Sequence, residues 1–224
     1  MGTLISFKRP DGQDAAGYLS LADKGDAPGV VVIQEWWGLQ DQVKAICDRF
    51  ALAGFSALAP DLYRGTVVPY HDSEKAGHEM NSLDFIDATT QTVRGAVEFL
   101  GKSGAKVGIV GYCMGGAVAV IAAAKVPGLS AAVPYYGLPP AEAAKPGDVK
   151  IPLMGHFANQ DDWCSSDKVD AFETELKSTG QEYHFFRYDA AHAFANEQRV
   201  SVHDRAAAEQ AWTRTVDFLG KQLR

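Results

Sequence analysis

The stretch Lys106-Val107-Gly108-Ile109-Val110-Gly111-Tyr112-Cys113-Met114-Gly115-Gly116, continued by the small-residue run Ala117–Lys125, decides how this chain folds. Lys106–Val110 has the short, apolar, β-branched character of a buried strand. Met114–Lys125 is alanine-rich and predicts a helix. Almost no chain is left between them for the reversal. That demand predicts a strained backbone at Cys113, with Gly111 and Gly115 leaving room for the close approach of neighbouring segments. The pattern is Gly-x-nucleophile-x-Gly with sulfur at its centre. The amide N–H groups and positive dipole end of the following helix favour a thiolate and a developing oxyanion. The competing reading is a buried core cysteine among packing glycines. The strand-turn-helix setting favours the nucleophile.

Outward from this turn the chain alternates. Thr3–Lys8 and Ala15–Leu19 predict a leading hairpin that turns at Asp11-Gly12. Gly29–Gln34 reads as a buried central strand, Asp41–Gly54 as a helix and Phe55–Pro60 as the next strand. Asp61–Met80 is expected to be irregular, whereas Leu83–Leu100 keeps helical spacing throughout. Ala131–Tyr136 and Ile151–Phe157 predict strands, Val169–Ser178 a helix, Tyr183–Tyr188 a strand and Asp204–Leu223 a closing helix. This order predicts an α/β fold in one domain, residues 1–224: a mostly parallel sheet with helices on both faces. Ligands of such sheets bind beyond the carboxyl ends of the strands.

Composition narrows the function classes. The 21 basic and 28 acidic side chains leave a net charge of −7, which argues against a nucleic-acid footprint. No run approaches the roughly 20 apolar residues of a membrane-spanning helix, and Met1–Pro10 lacks a signal-peptide core. Three scattered cysteines, Cys47, Cys113 and Cys164, do not make a disulfide framework. A cytoplasmic protein with free thiols is expected. Neither CxxC nor HExxH occurs, so no metal or cofactor is expected.

A thiol of ordinary pKa needs a base. His192, in the small-residue loop after the predicted strand Tyr183–Tyr188, suits that role, while His156 at a strand end is a candidate lining residue. His71, His78, His184 and His203 look incidental. The base needs an acid to orient it, placed between nucleophile and base in chain order. Asp161 and Asp162 both qualify by spacing. The strand Gly29–Gln34 runs into Glu35-Trp36-Trp37-Gly38. In this elbow architecture the loop there supplies one oxyanion-hole N–H, assigned to Trp36, and Met114 supplies the other. Glu35, between Ile33 and two tryptophans, is expected to have a raised pKa and to exchange protons with Cys113. The tryptophans suit a lid, core filling or substrate contact equally.

Several segments together resemble a known family: Gln34-Glu35 before an aromatic-Gly loop, Ala59-Pro60-Asp61-Leu62-Tyr63, Gly108–Gly116, Gln160-Asp161 and Ala191-His192-Ala193-Phe194. They are similar to the dienelactone hydrolases, or carboxymethylenebutenolidases, over nearly the whole chain. The resemblance implies an α/β-hydrolase fold without a large cap domain, a monomer, and a small-molecule ester or lactone substrate. It implies Cys113, Asp161 and His192 as the triad, which chooses between the two aspartates. It implies Glu35 as the activating acid, hydrogen-bonded to a neutral Cys113 thiol at rest. The family holds its substrate carboxylate with two arginines. At one of those positions this chain has Asn196, with Arg199 three residues on. For the other, Arg64 is the candidate. Trp37 and Tyr63 complete the expected substrate contacts. The lead expectation is hydrolysis of a lactone or activated ester. A broad carboxylesterase is the runner-up, and a non-catalytic binding or thiol-sensing protein is a third class.

Overall fold

Gly29–Ile33 (β3) and Val107–Tyr112 (β5) are buried along their whole length and pair in parallel from Gly29↔Val107 to Ile33↔Gly111. A strand buried on both faces requires cover on both sides. The computed structural model, which describes residues 1–224, places this pair at the centre of an eight-stranded sheet. The other strands are Thr3–Lys8 (β1), Asp14–Ser20 (β2), Ser56–Pro60 (β4), Leu129–Tyr135 (β6), Leu153–Gln160 (β7) and Tyr183–Ala191 (β8). Their order is β1-β2-β4-β3-β5-β6-β7-β8. The β1–β2 and β2–β4 pairings are antiparallel and the rest parallel. The six strands from β3 to β8 therefore end on one edge. From β3 the chain moves outward to β4 and then returns to add β5 on the other side. The crevice beyond β3 and β5 is thus the switch point where α/β sheets bind ligands.

The main helices are Asp41–Leu52 (α1), Ser73–Ser82 (α2), Phe85–Asp87 (α3), Arg94–Leu100 (α4), Met114–Lys125 (α5), Ser166–Ser178 (α6) and Arg205–Gln222 (α7). Gly29 faces Leu100 of α4, and Gly108 faces Leu219 of α7. Gly29 pairs with Val107. Successive strand residues point to opposite faces, so α4 and α7 cover opposite sides of the sheet. Phe50 of α1 packs on Trp212 of α7 at 4.6 Å, closing one of those layers. This is the α/β-hydrolase architecture, and it carries no large cap domain.

Two expectations are corrected. Asp61–Met80 is not wholly irregular, because α2 occupies Ser73–Ser82, capped by the Asp72 side chain on the Lys75 amide. Only Ala76 of that helix is buried, so it has no apolar stripe to read. Leu83–Leu100 is not one regular helix. A π-helical segment, Ala88–Val93, interrupts it. Asp87 and Thr92, five residues apart, both hydrogen-bond the buried Arg9 guanidinium. The wide i→i+5 turn puts them on one side, which α-helical spacing would not. Strands β7 and β8 also run three residues beyond their expected ends.

The elbow depends on contacts that leave no room for a side chain. A Cβ on Gly111 would lie 1.9 Å from the Gly115 carbonyl oxygen, and one on Gly115 would lie 2.5 Å from the Gln34 oxygen. These glycines clamp the β5–α5 turn against itself and against the end of β3. Gly111→Ala is expected to cost about 3 kcal/mol of stability, read as a lowered urea midpoint. A variant with an unchanged midpoint would contradict the clamp.

Candidate active site

Cys113 stands between β5 and α5 with φ 55° and ψ −118°. Few non-glycine residues adopt a positive φ, and holding one costs about 1–3 kcal/mol. The twist turns the side chain out of the sheet edge, toward the loop that follows β8. His192 begins that loop, and its Nε2 lies 3.1 Å from Cys113 Sγ. On the other side of the ring, Nδ1 lies 2.6 Å from Asp161 Oδ2. The carboxylate accepts from Nδ1–H, which leaves Nε2 free to accept from the thiol. Asp161 Oδ1 accepts the amides of Trp163 and Cys164 at 2.9 and 2.8 Å. Asp161 is thus fixed by its own loop, whereas Asp162 is exposed.

The His192 loop is held by several local bonds. Ala193 takes a positive φ of 66°, Phe194 is fully buried, and the Phe194 carbonyl accepts from the Asp204 amide. His203 Nδ1 contacts the same carbonyl at 2.9 Å, so His203 steadies this loop. His156 does not line the site. It is buried within the sheet layer, bonded to Tyr188 and Thr215, and burial pushes its pKa down to about 3.

The backbone N–H groups of Trp36 and Met114 favour the charged form of the Cys113 sulfur. Two N–H groups beside a nucleophile suit an oxyanion. Burial pushes the Cys113 thiol well above the ordinary cysteine range. The Glu35 carboxylate adds to this, and the two amides oppose it. Glu35 is 2% exposed. Tyr136 Oη donates to its Oε1 at 3.1 Å, and Asn196 Nδ2 donates to its Oε2 at 2.8 Å. Burial raises the Glu35 pKa, and the Asn196 hydrogen bond is the largest opposing influence. The structure pairs the sulfur with His192 rather than with Glu35, which corrects the expected resting contact.

The expected substrate contacts divide. Tyr63 is buried beside the elbow and donates to Met114 Sδ at 3.3 Å. Trp37 is core filling, packed with Val68 and Ala76. Asn196 is fully buried and engages Glu35 and Tyr70, so its amide is not free for a substrate. Arg64 is exposed and lines a groove of about 640 Å³ with Arg9, Asp61 and Glu79, a groove that Cys113 does not line. Arg199 is half-buried, with its guanidinium 5.7 Å from the Trp37 ring centre. Three contributors were not legible as site residues. Tyr136 and Tyr70 bind the Glu35–Asn196 pair, and Trp163 packs edge-on against His192 at 5.4 Å. For Tyr136 a signal existed, because it directly follows a parallel strand at the ligand-binding edge.

Residues 15–223 match the model of the dienelactone hydrolase family. The chain belongs to that family. This dienelactone hydrolase family member is therefore a hydrolase of the ester- and lactone-cleaving kind. It is 36% identical to Protein usf of Aquifex pyrophilus, with both chains covered in full. It is 32% identical to an Aquifex aeolicus protein with a provisional carboxymethylenebutenolidase name, again over both full lengths. A dienelactone hydrolase-like promiscuous phosphotriesterase from metagenomic libraries has the same fold. Its TM-score is 0.84 at 23% identity, over 100% of this chain and 99% of that one.

Because the Glu35 charge disfavours a neighbouring thiolate, Glu35→Gln is expected to shift Cys113 alkylation to lower pH. With iodoacetamide at about pH 8 the rate should rise about fivefold, equivalent to roughly 1 kcal/mol. An unchanged pH profile would remove Glu35 from control of the thiol.

Proposed function

We propose that this family member hydrolyses a carboxylic ester or lactone by a thiol-based acyl transfer, with Cys113 as nucleophile, His192 as base and Asp161 as its orienting acid. The observation that carries this reading is the relay Sγ–Nε2 at 3.1 Å and Nδ1–Oδ2 at 2.6 Å on a strained elbow. His192 Nε2 takes the thiol proton as sulfur bonds to the carbonyl carbon. The carbonyl oxygen becomes an oxyanion held by the Trp36 and Met114 amides, each such donor being worth about 3 kcal/mol. The intermediate collapses, the carbon–oxygen bond to the alcohol breaks, and the alkoxide takes the proton from Nε2. Water then gives its proton to Nε2 and attacks the acyl-cysteine. Collapse of the second intermediate releases the acid and returns the proton to sulfur.

Glu35 acts on this sequence through its charge. While Tyr136 and Asn196 hold its carboxylate, it disfavours a thiolate, so the proton stays on sulfur until a carbonyl is in place. The thiol is then protected from unproductive chemistry, since the thiolate is the reactive form. A broad carboxylesterase is the second reading, and Asn196 favours it. With its amide committed to Glu35 and Arg64 on a groove that Cys113 does not line, Arg199 is the cation left near the site to receive a substrate carboxylate. Uncharged esters meet no such requirement.

Hydrolysis of dienelactone and of simple aryl and alkyl esters, compared by kcat/KM, separates the two readings. Cys113→Ala and His192→Ala are expected to lose about 10⁴-fold or more. Asp161→Asn should lose far more than Asp162→Asn. Full activity in Cys113→Ala, or a larger loss at Asp162, would overturn the assignment.

A further inference from the structure

A second groove opens on the same edge of the sheet. It has a volume of about 490 Å³ and lies between the loop after β6, the loop after β7 and α6. Leu138, Pro139, Ala144, Trp163 and Phe172 are among the residues that line it. Nothing in the acyl-transfer sequence above uses it.

Its position is informative. Trp163 is shared between the groove and the site, because its ring packs edge-on against His192 at 5.4 Å. Trp163 is also 42% exposed, one of the few large apolar side chains at the surface. Lys168 Nζ donates to the Trp163 carbonyl at 2.8 Å, and the Trp163 amide donates to Asp161. The tryptophan is therefore tied to both the orienting acid and α6. At the other end, Leu138 follows Gly137, where a Cβ would lie 1.9 Å from the Cys113 carbonyl oxygen. Cys113 and His192 do not themselves line the groove; Trp163 is the residue that joins it to the relay, with Leu138 next to the Gly137–Cys113 backbone contact.

Proton transfer decides what the His192 side faces. The leaving oxygen must lie against His192 Nε2 to receive its proton. An alcohol that departs past His192 meets Trp163, whose ring also lines the groove. We propose that this groove receives the leaving alcohol of an acyclic ester, and that the alcohol is apolar. In a lactone the alcohol stays bonded to the acyl part, so a separate alcohol groove on the His192 side serves an open-chain ester. This proposal rests on the hydrolytic reading above and names its substrate class. The volume is within the usual range for small-ligand sites, and the mostly apolar lining gives each added methylene a surface to bury against.

The test is an alcohol series, ethyl to hexyl acetate, run beside an acyl series, ethyl acetate to ethyl hexanoate. Acid release is followed by pH-stat with the full-length protein. The kcat/KM is expected to rise about twofold per methylene in the alcohol series, or about 16-fold from ethyl to hexyl. Ala141→Trp and Ala171→Trp narrow the groove from two different elements, and both positions are exposed, so folding tolerates them. Each is expected to bring the hexyl-to-ethyl ratio in the alcohol series close to one while leaving the acyl-series ratio unchanged. A flat alcohol series in the unaltered protein would overturn the groove assignment. So would a preference that survives both substitutions, or one that moves with the acyl series. Absence of hydrolysis in both series would instead overturn the hydrolytic reading itself.

Discussion

The positive φ at Cys113 is the constraint on which the rest of the site depends. An extended residue there would carry the side chain back along the sheet. The strained turn instead holds the sulfur facing His192, where the Trp36 and Met114 amides favour its charged form. Strain of about 1–3 kcal/mol persists only where surrounding contacts leave no alternative. Here Gly111, Gly115 and Gly137 supply them. Each brings backbone so close that a methyl group would overlap a carbonyl oxygen. The Cys113 amide is also taken by the Tyr135 carbonyl at 3.0 Å, which ties the turn to β6.

Around that sulfur two carboxylates are handled differently. Asp161 receives two backbone amides and the His192 ring, so it sits within a ready set of donors for its charge. Glu35 is held by Tyr136 and Asn196 and is likewise buried. Burial therefore raises its pKa, and its charge in turn works against a thiolate nearby. In the proposed acyl transfer one acid orients the base while the other restrains the nucleophile.

Most of the framework was legible because the parallel strands are short apolar runs separated by helical spacing. The leading hairpin, the strand order's alternation and the elbow all rest on local pattern. The failures have physical causes. Helix α2 buries one residue, so its polarity resembles a loop. The π segment follows from Arg9, some eighty residues away in the chain, which collects Asp87 and Thr92. No periodicity within Leu83–Leu100 encodes that contact. Asp161 and Asp162 are adjacent and chemically identical. The difference arises where the β7 loop folds back so that its own amides bind one of them.

By itself the sequence determined the class of sheet and the elbow, and nominated candidates for a nucleophile, a base and an orienting acid. These are properties of local spacing and of which backbone conformations glycine permits. Only the tertiary structure decided what surrounds them. It withdrew Asn196 from substrate contact by burying it against Glu35, and placed Trp37 in the core. It brought Tyr136 and Tyr70 to the acid, and set Trp163 between His192 and an apolar groove. Those assignments join residues as far apart as 35 and 196, and their polarity and exposure exist only once the loops after β3, β6, β7 and β8 meet on one edge. Cys113 is a nucleophile candidate from its neighbours in the chain, and its candidate base and restraining acid are neighbours only in space.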